Sequence, residues 1–145
     1  GTLTFSGSVA DEETVTIGGA VYEFDTDGDT AKGNIAVDVS QGADASDAVT
    51  ALVAAIEAND NSVVTAVDGS GNTVVVTAVV YGTEGNSIAV DTDADKAEWA
   101  KATLDGGKDG TVAKKGTIMF DENYLYVAVD DCTETVSNWK KATLA

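Results

Sequence analysis

Asp44-Ala45-Ser46-Asp47-Ala48-Val49-Thr50-Ala51-Leu52-Val53-Ala54-Ala55-Ile56-Glu57-Ala58 is the one stretch of the chain in which apolar residues recur at helical spacing. Ala48, Val49, Leu52, Val53 and Ile56 fall three and four apart and so share one helix face. Asp44 or Ser46 can accept the unpaired N–H groups of a first turn, and Asp47 lies where the helix dipole favours an acid. The spacing predicts a helix over about 44–58, roughly 20 Å long at about 1.5 Å per residue, which is enough to cover one face of a small sheet. Its single apolar stripe is needed by that sheet, which argues against a helix that binds a partner.

On both sides of the helix the period drops to two. Leu3, Phe5 and Val9 alternate with small polar residues in Thr2 to Val9, and Thr14 to Ile17 and Val21 to Phe24 flank Gly18-Gly19 as a hairpin would. Asp25-Thr26-Asp27-Gly28-Asp29 reads as a loop, and Ile35, Val37 and Val39 resume the alternation. After the turn Asn59-Asp60-Asn61, two strands are expected at Ser62 to Val67 and Thr73 to Val80, joined by Asp68-Gly69-Ser70-Gly71-Asn72. The second carries Val74, Val76 and Ala78 on one side and Val75 and Val79 on the other, the mark of a central strand or of one covered by a neighbouring subunit. Tyr81 to Asn86 reads as a loop, Ser87 to Asp91 as a strand and Trp99 to Leu104 as a closing strand.

Past Lys114-Lys115-Gly116 the composition turns aromatic, with short strands expected at Thr117 to Phe120, Tyr124 to Val129 and Trp139 to Leu144. Such a sheet needs a partner surface, and Tyr124, Tyr126 and Trp139 are its candidate assembly residues. The expected fold class is α+β and β-dominated: antiparallel sheets with one covering α-helix, plus a small C-terminal three-stranded β segment. The expected organisation is a β-rich domain at 1–107, a linker at 108–116 and the appendage at 117–145.

Composition narrows the chemistry. The chain has no His, no Arg, no Pro and one Cys, and 25 acidic residues oppose eight lysines for a net charge of -17. Without imidazole there is no Ser-His-Asp or Cys-His machinery and no ordinary zinc site, so an enzyme is not expected. A chain of this charge repels phosphate backbones and lacks the guanidinium forks that read guanine, which argues against nucleic acid as a partner. No stretch reaches the roughly 20 apolar residues of a membrane span, and none reads as a signal peptide. Cys132 stands beside Asp130, Asp131 and Glu134, which favour the thiol, and reads as a small hydrophobe.

Two acidic runs resemble the start of a calcium loop: Asp25-Thr26-Asp27-Gly28-Asp29 and Asp91-Thr92-Asp93-Ala94-Asp95. An EF-hand would need Gly at Thr30 and a bidentate acid at Ala36, or the same residues at Lys96 and Ala102, and both runs fail. A solvated acidic turn is the first reading of Asp25, Asp27 and Asp29, and a looser calcium cluster the second. No cofactor is expected otherwise. Gly82-Thr83-Glu84-Gly85 lacks the Lys-Ser/Thr ending of a phosphate loop and leads into an expected strand.

Residues Gly1 to Gly107 resemble a module that recurs in structural proteins of tailed bacteriophages. The resemblance rests on Thr2-Leu3-Thr4-Phe5, on Thr14 to Phe24 around Gly18-Gly19, on the helix Ala48 to Ile56, and on Asn72 to Ala78. It continues through Gly82-Thr83-Glu84-Gly85-Asn86-Ser87-Ile88-Ala89-Val90 and Ala102-Thr103-Leu104-Asp105-Gly106-Gly107. Lys115 to Val129, with Asn138-Trp139-Lys140-Lys141-Ala142, resembles a C-terminal segment of phage capsid-associated, collar and fibre proteins, from which Lys141 is a mild departure. The resemblance implies a virion structural protein with other virion proteins, such as a major capsid protein, as partners, and with self-association. The acidic surface belongs away from the packaged genome, so a decoration or cement protein on the capsid exterior is the first expectation. A host-facing fibre adhesin using exposed Tyr81 and Glu84 is the second, and a tail tube or sheath component the third.

Overall fold

In a computed structural model described over residues 1–108, 115–120, 124–129 and 139–143, the chain divides into two compact units, Gly1–Lys108 and Asp109–Ala145. The first holds strands β1 (Thr2–Phe5), β2 (Thr14–Ile17), β3 (Ala20–Asp25) and β4 (Ile35–Asp38), helix α1 (Ala45–Ala58), and strands β5 (Val64–Gly69), β6 (Thr73–Ala78), β7 (Val90–Thr92) and β8 (Ala97–Trp99). They form two four-stranded sheets, β5-β6-β1-β8 and β4-β3-β2-β7.

The helix is where its apolar spacing predicts it. Asp44 caps it, with Oδ1 accepting from the N–H groups of Ser46 at 2.8 Å and Asp47 at 3.0 Å. Ala48, Val49, Leu52 and Ile56 are buried and face both sheets, since α1 contacts β5, β6 and β1 of one and β4 and β3 of the other. Between the sheets Phe5 meets Phe24 edge-to-face, with ring centroids 5.9 Å apart. On the far side the Trp99 indole donates to the Asp91 carbonyl at 3.1 Å, tying β8 to β7. The core therefore lies in a wedge between two sheets, closed on one side by the helix. Tyr22 is fully buried within it, and its hydroxyl accepts from the Asn59 side-chain amide at 3.1 Å.

The β2–β3 hairpin turns at Gly18 and Gly19, whose φ of 57° and 89° match the two positive φ values of a type I′ turn. One pairing departs from the antiparallel expectation: β3 and β4 are parallel, with only residues 26–34 between them. Tyr22 and Phe24 already fill the inner face, so the crossover covers the outer one. There it buries Glu23 to 3% exposure, and the Glu23 carboxylate accepts from the Ala31 N–H at 2.9 Å and the Asn34 side-chain amide at 2.5 Å. A parallel crossover usually takes about a dozen residues or a helix; here a buried carboxylate fastens a shorter one.

Other boundaries move for local reasons. The expected strand at Ser87 to Asp91 shortens to β7, because Gly82–Ser87 coils into a short 3-10 helix. Gly85 is buried there, and a Cβ on it would stand 2.8 Å from the Ala78 Cβ, so only glycine lets the turn lie against β6. The segment Trp99 to Leu104 does not form one closing strand. Its start belongs to β8, while the Val90 N–H donates to Ala102 and the Leu104 N–H donates to Ile88, covering the open edge of β7. The first strand ends at Phe5, and Val9 enters the core from a loop tied to Ala43.

The second unit is an antiparallel meander of β9 (Ile118–Phe120), β10 (Tyr124–Ala128) and β11 (Trp139–Thr143), with β10 in the centre. Ala128 is buried, its N–H donates to the Thr117 carbonyl at 3.0 Å, and its carbonyl accepts from Gly116 at 2.7 Å.

Candidate assembly surface

The outer face of the sheet β5-β6-β1-β8 is built from β-branched residues. Pairing aligns them in rows across the strands: Thr65 with Thr77, Val67 with Val75 and Thr2, and Thr73 with Thr4 and Glu98. Glu98 is the only charge on these rows, in a chain with 25 acids. The doubly apolar reading of Thr73 to Val80 resolves here. Val74 and Val76 point into the core, Val75 is half-buried on the outer face, and β6 is a central strand.

At one end of the β5–β6 hairpin this face rises into an apolar ridge. Val63, Val79 and Val80 are 42%, 56% and 42% exposed, and Tyr81 is 87% exposed. The ladder runs one pair beyond the strands, with the Val79 N–H donating to the Val63 carbonyl at 3.0 Å. The ridge borders a shallow groove of about 650 Å³ lined by Ser62, Val63, Val79, Val80, Glu84, Ser87 and Ile88. Gly18 supports it from the hairpin turn, where a Cβ would stand 2.5 Å from Val63 Cγ2. Exposed apolar side chains clustered beside one rim carboxylate are the chemistry of a protein contact.

The structure thus brings Tyr81 and Glu84, read from sequence as a loop pair, to the same end of the sheet as Val63, Val79 and Val80. Val79 was legible as an outward-facing valine of a two-sided strand. Val63 and Val80 fall inside the expected strands Ser62 to Val67 and Thr73 to Val80, but β5 begins at Val64 and β6 ends at Ala78, so alternation within a strand does not assign their faces. In the second unit, alternation and the pairing of Ala128 with Trp139 put positions 124, 126 and 139 on one face of the meander. Tyr126 is half-buried, while the side chains of Tyr124 and Trp139 lie outside the described residues, as does Cys132. Ile118, 62% exposed, stands across from Val127 on the opposite face.

The acidic loop is organised by its own carboxylates. Asp25 Oδ1 accepts from the N–H groups of Asp27 at 3.1 Å and Gly28 at 2.6 Å, and Oδ2 accepts from the Thr30 hydroxyl at 2.8 Å. The Gly28 N–H, followed by the Thr30 hydroxyl, holds the Asp25 carboxyl below its ordinary pKa. Asp29 is not in the cluster; its N–H donates to Asp27 Oδ1 at 3.1 Å. Its place is taken by Asp11, whose carboxylate oxygen lies within 4.8 Å of those of Asp25 and Asp27 and accepts from both the N–H and the hydroxyl of Thr26. Asp11 is distant in sequence, and the pairing of Glu12 and Glu13 with Phe24 brings it near. These oxygens are already turn fasteners. Comparison with protein-family models, curated proteins and solved structures gave no significant match to this chain.

Proposed function

We propose that this chain is a non-enzymatic virion structural protein of a tailed bacteriophage, most closely a decoration or cement protein on the capsid exterior. The observation that carries the reading is the exposed ridge Val63, Val79, Val80 and Tyr81, continuous with a nearly uncharged Thr/Val sheet face on a chain of net charge -17. Like-charged copies repel over most of their surface, so contact is favoured where charge is absent and apolar area can be buried. The phage-like segments supply the setting, and a cement needs this division between an acidic exterior and an apolar contact. The meander bearing Tyr124, Tyr126 and Trp139 is the second contact.

The test is binding of the purified chain to stripped particles. Val79→Asp and Tyr126→Ala should each weaken binding at least about tenfold, as loss of a buried anchor does, with host attachment unchanged. Binding at the wild-type level in both variants contradicts the proposal. A fibre adhesin is favoured by one observation, the nearly complete exposure of Tyr81. On that reading Tyr81→Ala loses host attachment and keeps particle binding.

A further inference from the structure

The open edge of β5 is held by the chain's own side chains. Val79 donates to the Val63 carbonyl. Alternation along the antiparallel pair then turns the backbone groups of Thr65 and Val67 toward β6, and those of Val64, Ala66 and Asp68 toward the edge. Two of those three outward residues are engaged. Glu57 Oε1 accepts the Ala66 N–H at 2.7 Å. Ser62 Oγ donates to the Val64 carbonyl at 2.7 Å and accepts the Val64 N–H at 3.3 Å.

Helix electrostatics do not favour Glu57 where it stands. It lies in the last turn of α1, which carries no basic residue and where the helix dipole disfavours an acid. It is exposed and takes no part in the Lys101–Asp105 ion pair. Its hydrogen bond to Ala66 offsets that unfavourable placement.

We propose that Glu57 is an edge guard, whose carboxylate keeps β5 from pairing with β5 of a second copy. An unpaired strand edge is a template for strand addition, and a second copy is the strand this edge fits. Antiparallel two-fold pairing centred on Ala66 sets Thr65 opposite Val67 and Val64 opposite Asp68, so no acid faces an acid and β-branched residues meet across the join. The adjoining outer face is the nearly uncharged one, so two acidic chains approach there with least repulsion. The inference holds whichever assembly the protein joins.

The test compares the full-length wild type with Glu57→Ala and Glu57→Gln. Both replace an exposed helical residue, and Ala favours the helix. Sedimentation velocity over a concentration series should show Glu57→Ala forming a species of twice the wild-type mass. Glu57→Gln, which loses the charge and keeps an acceptor oxygen, should sediment as wild type. Hydrogen exchange at the Ala66 amide should quicken about tenfold in dilute Glu57→Ala and slow again at concentrations where the doubled species forms. Adding Val67→Asp should return the doubled species to wild-type mass. The proposal is overturned if Glu57→Ala keeps the wild-type mass at every concentration, if Ala66 exchange is unchanged, or if Glu57→Gln associates as readily as Glu57→Ala.

Discussion

Glu23 and Asp25 do the work that a crossover helix does in larger parallel sheets. Each accepts from loop N–H groups that find no partner in a strand ladder, and Glu23 does so from an almost fully buried position. Glu23→Ala leaves the Ala31 N–H and the Asn34 amide without their acceptor, so a loss of about 2–3 kcal/mol is expected by denaturant unfolding. Asp25 gives a pH signature. Its carboxyl titrates lower in the folded chain than its ordinary value of 3.8, so its stabilisation is complete above that value and is lost as pH falls through the lower folded one. The melting-temperature gap between wild type and Asp25→Ala should be constant from neutral pH down to about pH 5 and close progressively in more acidic solution. A gap that widens on acidification contradicts this assignment.

Among the elements, α1 is the common wall of both sheets, and Leu52 is its fully buried centre. Leu52→Ala should cost about 2–5 kcal/mol, read from chemical denaturation. The helix was legible because its apolar spacing, its Asp44 cap and its burial all point one way. The β2–β3 hairpin was legible from Gly18-Gly19. What alternation fixes is which face a strand buries, not which strand lies beside it. The parallel β3–β4 pair was therefore invisible, and so was Asp11 beside Asp25. The 3-10 helix at Gly82–Ser87 has no period to reveal it, only a glycine at the point of closest approach to β6. Of the candidate surface, Val79 and Tyr81 could be named from the sequence. The groove could not, because it is made where Ser62-Val63 meets Ile88 across the end of the sheet. Glu57 was hidden for the opposite reason: an acid on the polar side of a helix is ordinary until the neighbouring edge is seen.

At the scale of the whole molecule the net charge of -17 sets the response to salt. Self-repulsion is screened as ionic strength rises, so the melting temperature should increase between low salt and about 0.15 M, where the Debye length is about 8 Å. The oxygens of Asp11 and Asp25 already accept internal hydrogen bonds, so calcium should add no more than magnesium at matched ionic strength. A calcium-specific rise in melting temperature would assign the loop an ion. The same charge makes the nearly uncharged sheet face and its ridge the part of the first unit where a second acidic surface would be repelled least.

Virion membership is open to quantitative mass spectrometry of particles purified from the source. A copy number close to the number of sites on the shell is expected. Absence of the chain from purified particles would contradict it.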